Sequence, residues 1–419
     1  MKSRSTAIFF ILFLLLSSSC STGSNINLGP EVDARRVREL IDEFGIETYS
    51  SSSWPELYLN GKEINRGMLD LIDKAEKYIV IDTFLIVNDE YGKVILETLA
   101  EKSAEGVAVY VMADSSSVFL GKESGFSYLE EQGIPWTEYN PIRPWNLLPV
   151  IKAYELFYRD HRKYWVVDGR YVLLGGSNII DTSLKPVDQG GNTDAMVLIE
   201  SKEVAEQLLE SFIQNWNKYS EYPFDVDNFE SIRNTPAETA VALFNQEAKD
   251  KQPVIELMVN RLFALAEHEV WLIQPYTFVN DQMLAYIEEL KTRGIKVHIV
   301  LSGTANHEKF YYASYYGIKD LIEAGAEVWI YSYKESPLHL KAFVIDDKYF
   351  SIGSANFNKR SFKLSAEANL IFSDPKSFEV LSRSLDKIKK NIRKVSPAEA
   401  EEYRGIEYKR WHLIMQNTG

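Results

Sequence analysis

Two segments of this 419-residue chain carry the same set of chemically capable side chains. The first is His161-Arg162-Lys163 with Asp168 and then Gly175-Gly176-Ser177-Asn178; the second is His339-Leu340-Lys341 with Asp346 and then Gly353-Ser354-Ala355-Asn356. In both, Lys stands two, Asp seven and Asn seventeen residues beyond the histidine. Residues two apart on a strand share a face, so each segment presents an imidazole beside an ammonium. Breaking a phosphodiester requires a nucleophile, a proton donor for the leaving alkoxide, and cations or amides for the non-bridging oxygens. Two His-Lys-Asn sets facing each other supply all three. One such match arises by chance in roughly a few per cent of chains of this composition, but two with a common Asn offset at equivalent places do not reduce to solvated strand histidines beside structural lysines.

The elements that must position these residues also occur twice. Tyr78-Ile-Val-Ile-Asp-Thr-Phe-Leu-Ile-Val-Asn88-Asp89 is echoed by Val270-Trp-Leu-Ile-Gln-Pro-Tyr-Thr-Phe-Val-Asn280-Asp281. Each apolar run precedes an amphipathic helix, Val94 to Ser103 or Leu284 to Thr292, stopped by Gly106 or Gly294. A second strand follows, then a second helix ending at Gly133 or Gly325, then a third strand, Trp136 to Tyr139 or Val328 to Tyr331. Strands alternating with helices predict an α/β fold in which each repeat is a mostly parallel sheet flanked by helices, the two packed as a pseudo-twofold pair. Their expected bounds are 50–225 and 250–390, joined by a polar linker over 226–249 and followed by a C-terminal tail over 391–419. After each His-Lys strand the chain is expected to turn at the motif Asp and return as a hairpin. The Gly-Gly or Gly-Ser exit of that hairpin lets the backbone approach a ligand and sets Asn178 or Asn356 beside the His-Lys pair.

These motifs resemble the paired HKD motifs of the phospholipase D superfamily, and Gly353-Ser354-Ala355-Asn356-Phe357 through Arg360-Ser361 resembles their bacterial cardiolipin synthase form. The resemblance covers about residues 50–390. It implies that one histidine forms a covalent phosphohistidine while the other serves as acid and then base, with His161 as nucleophile and His339 as acid. It implies further that Lys163 and Lys341 act in catalysis, that Asn178, Asn356, Ser177 and Ser354 bind substrate, and that Asp168 and Asp346 are structural. A carboxylate some thirty residues after each histidine is expected to orient its ring. Asp194, before the apolar strand Ala195 to Ile199, and Glu367, before Ala368 to Phe372, hold those positions. No cofactor and no metal are implied. The residues agree on the metal, since none of the six histidines lies in HExxH-type spacing and the lone Cys20 builds no cysteine cluster.

The remaining sequence bears on substrate and place. A formal charge of −14 repels nucleic acid overall, and the basic residues are scattered apart from Lys387 to Lys394. The expected substrate is therefore a phospholipid, no nucleic-acid or protein partner is implied, and the alternative is an exported nuclease or other phosphodiesterase on the same fold. A scaffold with a decayed site is hard to reconcile with two intact motifs. Lys2 and Arg4 precede an apolar run, Ala7 to Leu16, and then Ser17-Ser18-Ser19-Cys20, the order of an export signal. That run is too short to span a bilayer. Its end resembles a lipobox with Ser17 where leucine is preferred, so Cys20 is the expected lipidation site; a plain secretory signal is the alternative. Residues 21–49 read as a tether and an accessory helix, Val32 to Phe44. The expected location is a bacterial cell envelope, lipid-anchored, with Ser21 favouring the outer membrane over the inner. Finally, the first repeat inserts Pro141 to Asp160 before its motif, and Trp145, Leu147, Leu148, Ile151 and Phe157 with Arg143 and Lys152 suit contact with acyl chains below phosphate headgroups.

Overall fold

The apolar run Tyr78–Thr83 is buried at all six positions, as a strand covered on both faces must be. The computed structural model describes residues 50–142, 157–222, 224, 238–248, 253–304, 308–334 and 336–418. In chain order its strands are β1 (Ser50–Ser52), β2 (Glu56–Leu59), β3 (Tyr78–Thr83), β4 (Ala108–Asp114), β5 (Trp136–Tyr139), β6 (Arg159–Asp160), β7 (Tyr164–Val167), β8 (Tyr171–Gly175), β9 (Ala195–Glu200), β10 (Thr239–Gln246), β11 (Glu269–Ile273), β12 (Lys296–Ser302), β13 (Glu327–Tyr331), β14 (Ala342–Ile345), β15 (Tyr349–Gly353), β16 (Ser365–Phe372) and β17 (Ile392–Lys394). They form two sheets, ordered β2-β9-β8-β7-β3-β4-β5 and β1-β10-β16-β15-β14-β11-β12-β13-β17.

The crossover helices are where the sequence places them. Asp89 caps Glu90–Ala104 by accepting from the Gly92 N–H at 3.1 Å, and Asn280 caps Asp281–Thr292 by accepting from Met283 at 3.0 Å. Gly106 and Gly294 end them at φ 100° and 78°, a left-handed backbone that costs glycine nothing.

The parallel content is smaller than expected. Within each repeat β3-β4-β5 and β11-β12-β13 run parallel, whereas the pairs through β7, β8 and β9, and through β14, β15 and β16, are antiparallel, so both sheets are mixed. The motif strand returns through a three-residue connection, Asp168-Gly169-Arg170 with φ 53° and 59° at its first two positions or Asp346-Asp347-Lys348 with φ 51° at both, and so short a connection joins only antiparallel neighbours.

Three apolar clusters hold the layers. One lies under the outer helices of the first repeat, where Ile64, Leu96 and Leu129 meet Ile79 and Val109. A second does the same in the second repeat, with Met258, Ile287 and Leu321 against Leu272 and Ile299. The third lies between the sheets, where the helix Lys202–Tyr219 brings Phe212 and Trp216 and the helix Pro375–Lys389 brings Leu381 and Ile388. It contains residues of both repeats, such as Val166 and Val344, and so joins them through one core.

Two strands also leave their own half. β1 pairs with β10, and β6 pairs in parallel with β16. β10 itself corrects the expected linker, for Thr239–Gln246 lies inside 226–249 and pairs with β16 over six residues. Val241 is fully buried there, but the run is short and its polar flanks mask it in the sequence. The tail likewise packs: β17 joins β13, and Trp411 and Met415 of the helix Ile406–Thr418 bury against Phe278 and Ala313. Among the described residues no helix is long and apolar enough to cross a membrane. Cys20, the tether, the accessory helix and insertion residues 143–156 lie outside the described residues; Phe157 lies within them, half-buried.

Candidate active site

Strand pairing across the repeats builds the site. The chain enters the first motif along β6, and the His161 N–H donates to the Ala366 carbonyl at 2.9 Å, one residue before Glu367. It enters the second beside Thr193, whose carbonyl accepts from the His339 N–H at 2.8 Å, one residue before Asp194. Each histidine therefore meets the other repeat's carboxylate. His161 Nδ1 lies 3.1 Å from both Glu367 oxygens, and His339 Nδ1 lies 2.6 Å from Asp194 Oδ2. The expectation that each carboxylate serves its own repeat is thus corrected to a crossed pair. Within its own repeat each acid lies behind the hairpin exit. A Cβ on Gly176 would come within 2.3 Å of Asp194 Oδ1, so only glycine leaves room for that carboxylate.

The carboxylates fix the tautomers. An ionised carboxylate only accepts, so Nδ1–H donates in both rings and Nε2 is left with the lone pair. Lys341 Nζ is 2.9 Å from His339 Nδ1, but that nitrogen's proton already points to Asp194, and the ammonium donates instead to the His339 carbonyl. Lys163 donates in the same way to the His161 carbonyl. The rings retain 17% and 20% of their side-chain exposure, enough for a reacting atom to reach them, whereas both lysines are buried.

Burial dominates the titration. It pushes His161 down to about 4, against Glu367, which raises it, and with Lys163, which lowers it further. It lowers His339 too, with Lys341 acting in the same sense and Asp194 against it. Lys163 falls to about 7 and Lys341 to about 8, again through burial, with Glu367 and Asp194 respectively opposing most. Burial would raise the two acids, but Lys341 and His339 hold Asp194 below the carboxylate range, and His161 and Lys163 do the same for Glu367. With neutral imidazoles, two ammoniums balance two carboxylates. A phosphodiester anion arriving with one imidazole proton preserves that balance.

The motif aspartates stand away from this chemistry. Asp168 accepts from the backbone N–H groups of Glu76, Lys77 and Tyr78 at 2.8 Å each, and Asp346 from those of Glu267, His268 and Glu269. They tie each hairpin turn to the start of β3 or β11. Asn178 Oδ1 accepts from the Leu85 N–H at 3.2 Å, while the buried Asn356 Oδ1 and Ser177 Oγ have no hydrogen-bond partner among the described residues. Ser354 corrects its expected role: its hydroxyl donates to Glu367 Oε2 at 2.5 Å, so it supports the carboxylate rather than a substrate. Ser177 is not its equivalent, because Gly176 holds the matching position in the first repeat.

Sequence reasoning passed over three groups. Ser361 donates to Glu367 Oε1 at 2.6 Å, completing that acid's support. The Phe84 ring lies edge-on to His161 with centroids 5.3 Å apart, and Lys163 Nζ is 5.3 Å from its centre. Arg162, between His161 and Lys163, projects from the opposite face into a cluster with the buried Asp82 and Asp160 and the partly buried Glu247. The repeat alignment was the available signal, since Phe84 matches Tyr276 and Arg162 matches Leu340.

Comparison with known proteins fits this geometry. A family model described as cardiolipin synthase, PLD-like domain, matches residues 68–216 and 259–389. Cardiolipin synthase 2 of Bacillus anthracis is 26% identical over 344 residues, covering 82% of this chain and 66% of that protein. Cardiolipin synthase A of Pseudomonas syringae is 26% identical over 364 residues, covering 84% and 71%. The chain thus spans about two thirds of the length of the first of these. Among solved structures, phosphatidylserine synthase of Haemophilus influenzae superposes with a TM-score of 0.69 at 16% identity, over 91% of this chain and 97% of that one, and so shares the fold. Polyphosphate kinase of Porphyromonas gingivalis gives 0.54 at 11% identity, over 87% and 53%. Because both matched segments carry a complete His-Lys motif and together span most of the chain, it belongs to the family of phospholipase D-like domains typified by cardiolipin synthase.

Proposed function

We propose that this chain is a phosphatidyl-transferring or phospholipid-hydrolysing enzyme that works through a covalent phosphohistidine. The observation that carries the proposal is the crossed His161–Glu367 and His339–Asp194 pairing around two buried lysines. His161 Nε2 attacks phosphorus while the P–O bond to the leaving alcohol breaks, and that oxygen takes the proton from His339 Nε2. His339 then removes the proton of an acceptor hydroxyl, whose oxygen attacks phosphorus and breaks the P–N bond. Lys163 and Lys341 neutralise the non-bridging oxygens, with Asn178 and Asn356 as amide donors. The depression of His161 to about 4 favours it as nucleophile, which must be neutral to attack. The test is to incubate the detergent-solubilised chain with phosphatidylglycerol, in EDTA throughout, and to resolve cardiolipin from phosphatidate by mass spectrometry. Cardiolipin identifies transfer and phosphatidate identifies hydrolysis. Neither product, or a product that requires an added divalent ion, overturns the reading.

The chain meets its lipid, in this proposal, through an anchor on Cys20, the cysteine that closes the basic and apolar leader. Cys20→Ala is expected to move the protein to the soluble fraction or to leave an unprocessed precursor, as seen by fractionation and intact-mass measurement. Unchanged processing with unchanged membrane association would remove the anchor from the proposal.

A further inference from the structure

The helix Ile406–Thr418 has one face built into the fold and one that is not. Its inward side chains, Tyr408, Trp411, His412 and Met415, are buried or half-buried against the helix Glu308–Tyr316. The His412 imidazole donates through Nδ1 to the Ala313 carbonyl at 3.0 Å. On the other side Ile406, Arg410 and Leu413 recur at i, i+4 and i+7, so they form one outward stripe. Ile406 is 89% and Leu413 52% exposed, the two highest values for a large apolar side chain among the described residues. Lys409 and Arg410 are exposed beside them. Arg410 and Lys309 bracket the Trp411 ring, 5.6 and 4.7 Å from its centre, while Glu407 and Glu308 lie on the flank toward Tyr312.

This helix borders the candidate active site. It touches the short helix Lys359–Lys363, which follows Asn356 at the exit of the second motif. Its partner helix is tied to the same segment: Ser314 Oγ accepts from the Thr277 N–H at 3.1 Å, and the Thr277 hydroxyl donates to the Phe357 carbonyl at 2.9 Å. An isoleucine and a leucine left in water on a packed helix, with cations beside them, match a surface that has an apolar interior and an anionic boundary. Long basic side chains reach headgroups from a helix whose apolar residues enter the acyl region. A second copy of the chain fits less well, because a twofold contact through this stripe would set Arg410 and Lys409 against their own copies. We propose that the outward face of Ile406–Thr418 docks on an anionic phospholipid bilayer and so holds the active site at the membrane that supplies its substrate. This rests on the phospholipid reading above and adds to it the surface by which the folded chain meets its lipid.

The test compares wild type with an Ile406→Ser/Leu413→Ser double variant, each as the whole chain in neutral detergent. One substrate is a soluble nitrophenyl phosphodiester, and the other is phosphatidylglycerol at varied mole fraction in the micelles. Both proteins are expected to turn over the nitrophenyl ester equally, while the variant needs at least about tenfold more phosphatidylglycerol for half-saturation, the scale of one apolar side chain moved into lipid. Arg410→Gln is expected to raise the same quantity less, by an amount that disappears at about 1 M salt, where the screening length falls to about 3 Å. A half-saturating mole fraction unchanged in the double variant overturns docking and leaves the phospholipid reading standing. Hydrogen exchange decides independently of turnover, with wild type in nanodiscs of phosphatidylcholine alone or mixed with phosphatidylglycerol. Slower exchange over residues 406–418 in the anionic discs supports docking. Equal exchange in both discs overturns it, and so does slowing that follows protein concentration in detergent, since a second copy would then cover the face.

Discussion

His161→Ala is expected to abolish both turnover and the covalent adduct, whereas His339→Ala abolishes only the turnover of substrates with poor leaving groups. Removing a nucleophile costs on the order of 10⁴-fold or more in kcat, because no other group forms the intermediate. Removing a general acid costs roughly 10²- to 10⁴-fold when the leaving alkoxide needs its proton, and much less when it does not. A nitrophenyl phosphodiester supplies that second case. In the quenched His339→Ala enzyme, mass spectrometry should therefore find a phosphoryl adduct on His161. An adduct found only on His339, in the His161→Ala enzyme, reverses the assignment. The pH profile of kcat/KM checks the same scheme. His161, depressed to about 4, stays neutral and competent down to acid pH, so the acidic limb lies low. Lys163 and Lys341 lose their protons as pH rises through about 7 and 8, which removes the charge that holds the phosphate. Activity is expected to fall over that range, in addition to the fall at lower pH as His339, whose pKa burial lowers, gives up its proton. A rate that is flat from pH 6 to 9 would show that neither lysine changes charge there.

Much of this site was legible in the sequence because local spacing determines it. His and Lys two apart must share a face, and the motif Asp is where a strand of four residues has to turn. The repeat made both observations at once. What the sequence did not disclose lies between the repeats. An acid some thirty residues after a histidine has that spacing whether it serves its own histidine or the other one. The choice is made by the contacts of β6 with β16 and of Thr193 with Leu338, between segments more than a hundred residues apart. β10 was hidden for the same reason, since an eight-residue strand gains its identity from the neighbour it pairs with. Ser354 could not be assigned from its motif, as the same hydroxyl suits a phosphate or a carboxylate, and only the position of Glu367 decides.

Arg162 was equally invisible, and its loss is expected to have the largest effect on stability. It is fully buried, donating to Asp160 Oδ2 at 2.5 Å, to Glu247 Oε1 at 2.7 Å and to Ser211 Oγ at 2.7 Å, with Asp82 at 3.4 Å. One guanidinium thus gathers the end of β3, the start of the motif and the segment after β10. Burial, reinforced by Asp160 and opposed by Arg162, raises the Asp82 carboxyl well above the usual range. Burial raises Asp160 to about 6, with Arg162 pulling the other way, while Arg162 and Ser211 hold Glu247 below its usual range despite burial. Arg162→Met fills the space and removes the charge, leaving the buried Asp160 and the partly buried Glu247 without their cation. Breaking such a pair from one side costs about 3–5 kcal/mol. The loss should depend on pH with a definite sign. In the variant both carboxyls titrate above their unfolded values, so the folded state holds more protons, and that contribution is present at low pH and fades as pH rises through the folded pKa. Urea unfolding should therefore give a smaller loss at pH 5 than at pH 7.5. Adding Glu247→Gln should recover part of it, since a neutral amide removes one stranded charge. The second repeat places Leu340, nearly fully buried, at the matching position, so the fold itself accepts an apolar side chain there. A loss below about 1 kcal/mol at both pH values would mean the carboxyls reach water or protonate without cost, and that the cluster does not anchor the His161–Lys163 segment.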